Sequence, residues 1–139
     1  MSIIPNAVLL EADVPTRTGK FFSKSTLYDI ANQGIIYGEF VVSYDGFDTD
    51  PAYVSVSKMT HEITNLYVDD NKLYGDIQIY DTPNGKLLSQ MLPDKLIIAP
   101  RGMGQVDKNN VVTNFKIIAF DYMLRDETLT LVYPPLSIN

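Results

Sequence analysis

Lys72-Leu73-Tyr74-Gly75-Asp76-Ile77-Gln78-Ile79-Tyr80 is the stretch that decides the fold, because Leu73, Gly75, Ile77 and Ile79 alternate strictly with more polar neighbours. A period of two places one set of side chains on a core and the other toward water, the signature of a half-buried β-strand. The preceding run, Ile63 to Val68, is rich in β-branched and aromatic residues, and Asp69-Asp70-Asn71 between them suits a tight turn. The two runs therefore read as a hairpin. A second hairpin joins Leu96–Val106 to Val111–Tyr122 through Asp107-Lys108-Asn109-Asn110. Ala7 to Ala12, Ile35 to Ser43 and Tyr53 to Met59 are further predicted strands.

Two helices interrupt the strands. Ser25 is the expected cap of a short helix over Thr26 to Gln33, with Leu27, Ile30 and Ala31 on one face and Gly34 as a left-handed stop. In the second, Thr82 caps, Pro83 takes the first helical position, Leu87, Leu88, Met91 and Leu92 form the apolar face, and Pro93 ends it. Periodicity alone supports an α+β or all-β domain, mostly antiparallel, with a few short helices.

The 139 residues contain no repeat or linker that would divide them, so a single domain over 1–139 is expected. With no cysteine, disulfides, thiolate metal sites and cysteine nucleophiles are excluded. The net charge of −6, without a basic stripe, argues against a nucleic-acid partner. No run approaches the roughly 18 apolar residues of a membrane span, and Met1 to Asn6 lacks the features of a secretion signal, so a soluble protein is expected.

His61 is the one side chain whose ordinary pKa lies near neutrality, and so the natural candidate for a general base. A lone histidine in a β-rich chain is, however, more often a hydrogen-bonded structural residue. Its surroundings change the reading. His61-Glu62-Ile63-Thr64 is followed by the first hairpin, then by Asp81-Thr82-Pro83-Asn84-Gly85-Lys86, then by Ile97-Ile98-Ala99-Pro100-Arg101-Gly102-Met103-Gly104. Singly these are common: Thr-Pro punctuates many helix starts, and Arg-Gly-x-Gly suits a turn. In this order, over about residues 35–106, they resemble the prohead maturation proteases of tailed phages, serine proteases of the herpesvirus assemblin type.

The resemblance implies an assemblin-like β-barrel or sheet, and peptide hydrolysis with His61 as base and a serine at position 99 as nucleophile. Arg101 and Gly102 would sit where charge develops on the carbonyl oxygen. It further implies scaffold and major capsid proteins as substrates or binding partners, the phage prohead in the host cytoplasm as location, and no cofactor. Homo-oligomerisation stays open. Position 99 is alanine, so the chain is expected to be inactive as written. Either a serine was replaced there, the favoured explanation, or the chain is a natural pseudoprotease that binds capsid or scaffold. An unrelated β-rich domain is the third reading.

Pro100 also departs from the family, which often has a small polar residue there. No single acid completes a triad: Glu39, Asp45, Asp48 and Asp50 are candidates, with solvated turn residues the ordinary reading of the last three. Those aspartates lack the later bidentate glutamate of a calcium loop, so no metal is expected. Ser55 and Ser57, read as strand residues on the same face as His61, are taken as structural.

Overall fold

The computed structural model describes residues 2–16, 19–41 and 54–124, together with the backbone of 131–133. The elements run β1 (Ser2–Glu11), α1 (Lys24–Ala31), β2 (Ile36–Val41), β3 (Met59–Asp69), β4 (Lys72–Ile79), α2 (Pro83–Met91), β5 (Leu96–Val106), β6 (Val112–Leu124) and β7 (Leu131–Tyr133). They form one sheet in the order β1-β4-β3-β2-β6-β5-β7. The sheet is open, and the fold is α+β with strand predominating. Most pairs are antiparallel; β2–β6 and β5–β7 are parallel. No helix among the described residues is long and apolar enough to cross a membrane.

Both hairpins form where turn chemistry marks them. Asp70 adopts φ 55° between β3 and β4, and Asn110 adopts φ 64° between β5 and β6. Such left-handed conformations suit Asn and Asp, whose short polar side chains bond locally. In the second turn, Asp107 Oδ1 accepts from the backbone N–H groups of Asn109 and Val111. The β4 alternation holds residue by residue, with Leu73, Gly75, Ile77 and Ile79 buried.

That inward face forms the core with Leu27 and Ile30 of α1, Leu88 of α2, Ile63 of β3, and Phe120 and Tyr122 of β6. Burying each large apolar side chain contributes about 1.5–3 kcal/mol, so the two short helices are held mainly by what they cover. Thr82 caps α2, its hydroxyl accepting from Gly85 N–H, with Pro83 in the first turn. Leu87, expected on the apolar face, is instead about half exposed, while Leu88 is completely buried. The narrow contact of a nine-residue helix accommodates only part of the predicted stripe.

Two further expectations are corrected. The first helix begins earlier, capped by Ser23, whose hydroxyl accepts from Thr26 N–H; Ser25 lies inside the first turn and hydrogen-bonds the Ser23 hydroxyl. Gly34 beyond its end has φ 88°, the predicted left-handed stop. The run before His61 is not a strand throughout, because Val56–Lys58 is a 3₁₀ turn closed by Lys58 N–H on the Ser55 carbonyl. Val56 is 84% exposed, so the Val-Ser alternation there has no core to pack against. Ser55 and Ser57 consequently do not continue the alternating face of His61.

β4 is also braced polar-side out. Its neighbours β1 and β3 carry register shifts, between Ile4 and Ala7 and between Thr64 and Tyr67, with Asn6 and Asn65 at positive φ. The Asp76 carboxylate between them accepts from Asn6 N–H on one side and Asn65 Nδ2 on the other, each at 2.9 Å. These bonds depress its pKa, the Asn65 side chain contributing most and the Asn6 backbone next.

Asp76→Ala is expected to lower the thermal midpoint at neutral pH. Because the folded pKa lies below the ordinary 3.8, the advantage of the parent is complete above that value and disappears as pH falls through the depressed pKa. Melting curves of the two proteins across acidic pH check this: the gap should close on acidification, and a constant gap would contradict the brace.

Candidate functional site

His61 lies on β3 opposite Gly38 of β2 and Ile79 of β4. Its side chain is wholly buried and points inward with Ile63 and Ile79, ending edge-on to Tyr122 with ring centroids 4.9 Å apart. To reach β6 it must cross β2, and it does so over Gly38. A β-carbon at position 38 would overlap both the Phe120 carbonyl oxygen and the imidazole. The glycine makes room for a hydrogen bond of 2.6 Å between His61 Nε2 and the Phe120 carbonyl.

That bond fixes the tautomer. A backbone carbonyl only accepts, so Nε2 carries the hydrogen, and Nδ1 is left as acceptor for the Thr60 hydroxyl at 2.8 Å. Burial pushes the ring pKa down to about 4, against the opposing influence of the Phe120 carbonyl and the Asp121 charge. At neutral pH His61 is an uncharged core residue with both nitrogens engaged. A general base requires a free lone pair within reach of a substrate proton, and Nδ1 already uses its lone pair on a buried hydroxyl.

The other face of the same strands holds a buried ion cluster. Arg101 of β5 donates to Asp121 of β6 twice, Nε to Oδ2 at 2.7 Å and Nη2 to Oδ1 at 3.1 Å. Nη2 also donates to Glu39 Oε2 of β2 at 3.1 Å. The Glu39 backbone N–H donates to Asp121 Oδ1, and Ser55 N–H to Glu39 Oε2. All three side chains are almost completely buried. Burial opposes the guanidinium charge, but Asp121 and Glu39 outweigh it and raise the Arg101 pKa. An uncompensated charge in such a place costs about 3–5 kcal/mol, so the members are kept together. The arrangement links β2, β6 and β5 where the parallel pair joins the second hairpin.

Of the residues singled out by sequence, the structure therefore brings Arg101 and Glu39 together, as an ion pair. Their common partner Asp121 is missing from the sequence reading, although an acid inside the apolar run Ile117-Ile118-Ala119-Phe120-Asp121-Tyr122-Met123 is itself a signal, since a buried carboxylate needs a partner. Gly102 has a packing reason as well: a β-carbon there would overlap the Phe115 ring and the Lys116 carbonyl. Phe115 in turn meets Phe22 edge-on at 5.2 Å. Asp45, Asp48 and Asp50 lie outside the described residues. Within the described residues no group of three acids or histidines is arranged to hold a metal.

Ala99 is buried on β5 in register with Asp121. Residues directly opposite in an antiparallel pair share a face, and successive residues alternate. Ala99 thus belongs to the Asp121 and Arg101 face, whereas His61 belongs with Phe120 and Tyr122. The two positions are also three strands apart in the sheet order. The structure does not bring them together. Ala99 instead borders an open groove of about 340 Å³ between β1 and the start of β5, walled by Val8, Leu10, Val14, Ile97 and Ile98. Among the described residues, β7 pairs with β5 from Arg101 to Met103.

Over most of its length the chain is similar in structure to the capsid assembly protease gp21 of bacteriophage T4. The likeness is one of fold. The TM-score is 0.66 with 18% sequence identity, over 88% of this chain and 91% of that one. No family model matches the chain, and no curated protein sequence matches it.

The engaged imidazole makes a titration prediction. Unfolded, His61 takes up a proton near 6.5, whereas folded it resists down to about 4. Its contribution is complete above the unfolded value and is lost progressively as pH falls between the two, by on the order of 3 kcal/mol in all. Denaturant unfolding across this range should show the decline in the parent and a shallower one in His61→Gln. Equal slopes would contradict the assignment.

Proposed function

We propose that this chain is a non-catalytic protein of phage head assembly, built on the fold of a capsid assembly protease and binding scaffold or major capsid protein inside the prohead in the host cytoplasm. The observation that carries the reading is the state of His61. The sequence has one histidine and no cysteine, so a histidine-based acyl-transfer site has only this imidazole to use. Its Nε2–H is given to Phe120 and its Nδ1 to Thr60. Position 99 supplies only a methyl group. Nucleophile and base are thus both missing from their expected roles, which favours a natural pseudoprotease over an endopeptidase disabled by one Ser-to-Ala replacement.

The binding surface in this reading is the groove beside Ala99. An extended peptide laid in the groove would set alternate side chains against its apolar walls. Among the described residues lining the groove, Glu11 is the one charged side chain. The partner segment is accordingly apolar and extended.

Two measurements separate the readings. Ala99→Ser, incubated with purified scaffold and capsid protein of the same phage, is expected to cleave neither them nor itself and to escape labelling by a serine-directed fluorophosphonate. Cleavage by this variant would establish the disabled endopeptidase instead. Calorimetric titration of the parent with the same proteins should show binding, weakened about tenfold or more by Val8→Asp, which puts a charge on an apolar wall. Undiminished binding by that variant would remove the groove from the account.

A further inference from the structure

A second groove lies on the face of the sheet opposite the core, at the Tyr37–Glu62 rung of β2 and β3. It holds about 690 Å³ and is open to solvent along one side. Val56, Met59 and Ile118 give it an apolar lining, and Tyr37 and Tyr80 an aromatic one. Among the described residues lining it, Glu62 is the one carboxylate, and none is lysine or arginine. Tyr37 is 39% exposed and Val56 84% exposed, so both offer surface to a partner. Burial, followed by the adjacent Glu62 charge and hydrogen bond, pushes the Tyr80 hydroxyl up to about 12. The hydroxyl therefore stays protonated on the carboxylate at neutral pH.

We propose that this groove docks a partner protein through an apolar segment carrying one basic side chain, which enters between Tyr37 and Tyr80 to meet Glu62. Charge complementarity selects the occupant. A cation gains from the two ring faces and from a carboxylate with no competing cation in the lining, and an acidic or purely apolar segment forgoes both. A single small cation fills little of the volume, whereas a segment of several residues covers the exposed Val56 and the half-buried Ile118 as well. The surface is separate from the groove beside Ala99, so the inference stands whether or not that groove binds scaffold or capsid protein.

The test uses the full chain and three synthetic peptides: acetyl-Val-Leu-Lys-Leu-Val-amide and its counterparts with Glu or Leu at the centre. Amide-resolved NMR titration of the lysine peptide is expected to shift Tyr37, Val56, Met59 and Ile118. The glutamate and leucine peptides should bind about tenfold more weakly or less. Glu62→Gln should remove the preference for lysine, while Val56→Asp, at an exposed position, should weaken all apolar contact without unfolding the protein. Equal affinity for the three peptides, no shifts at these residues, or an unchanged preference in Glu62→Gln would each overturn the proposal. Shifts confined to Val8, Val14 and Ile97 would overturn it too, while supporting the other groove.

Discussion

One hydrogen bond, from the His61 imidazole across Gly38 to the Phe120 carbonyl, organises the centre of the molecule. β2 and β6 run parallel, and their paired positions are Phe40 with Tyr122 and Val41 with Met123. Just below that short ladder the chain needs another tie between the first hairpin and the second. The imidazole supplies it by bridging from β3, over a strand that has dispensed with a side chain to let it pass. The same bond dictates the tautomer, directs Nδ1 to Thr60, and leaves the ring neutral in an apolar setting. Chemistry follows from packing here: an imidazole that joins two halves of a sheet has no nitrogen left to activate a nucleophile.

The opposite face of the same strands solves the same joining problem with charge. Arg101, Asp121 and Glu39 connect β5, β6 and β2 through a bidentate pair and a second carboxylate. The planar guanidinium fork suits two acceptors at fixed angles, which a lysine would not reproduce. A neutral tie on the core face and a buried ionic tie on the opposite face together lock the parallel junction, where no hairpin turn sets the register.

Much of the fold was legible locally. Strict alternation in Lys72–Tyr80, Asp and Asn at the two turns, and Thr82-Pro83 ahead of an apolar stripe each encode their structure within a few residues. What was not legible depended on distance. Ser23 and Ser25 are equally good caps on paper, and only the path into the helix chooses between them. The Val-Ser alternation before His61 resembles a strand until the absence of anything to pack against Val56 is known. Glu39 and Arg101 were recognisable as unusual residues, yet their pairing spans 62 residues of sequence, and the Asp121 they share lies 82 residues from Glu39. His61 illustrates the limit most clearly, because the same residue type serves as base or as core bridge, and the choice rests on Gly38 and on a carbonyl 59 positions away.

A shared fold and motif order do not by themselves carry an activity, because function lives in the site built on the fold. The state of its single imidazole is the most direct test. Long-range proton–nitrogen NMR of the one histidine should report the Nε2–H tautomer unchanged from about pH 8 to about pH 5, with protonation only near 4. A ring that titrates near its ordinary 6.5, exchanging between tautomers, would contradict the account.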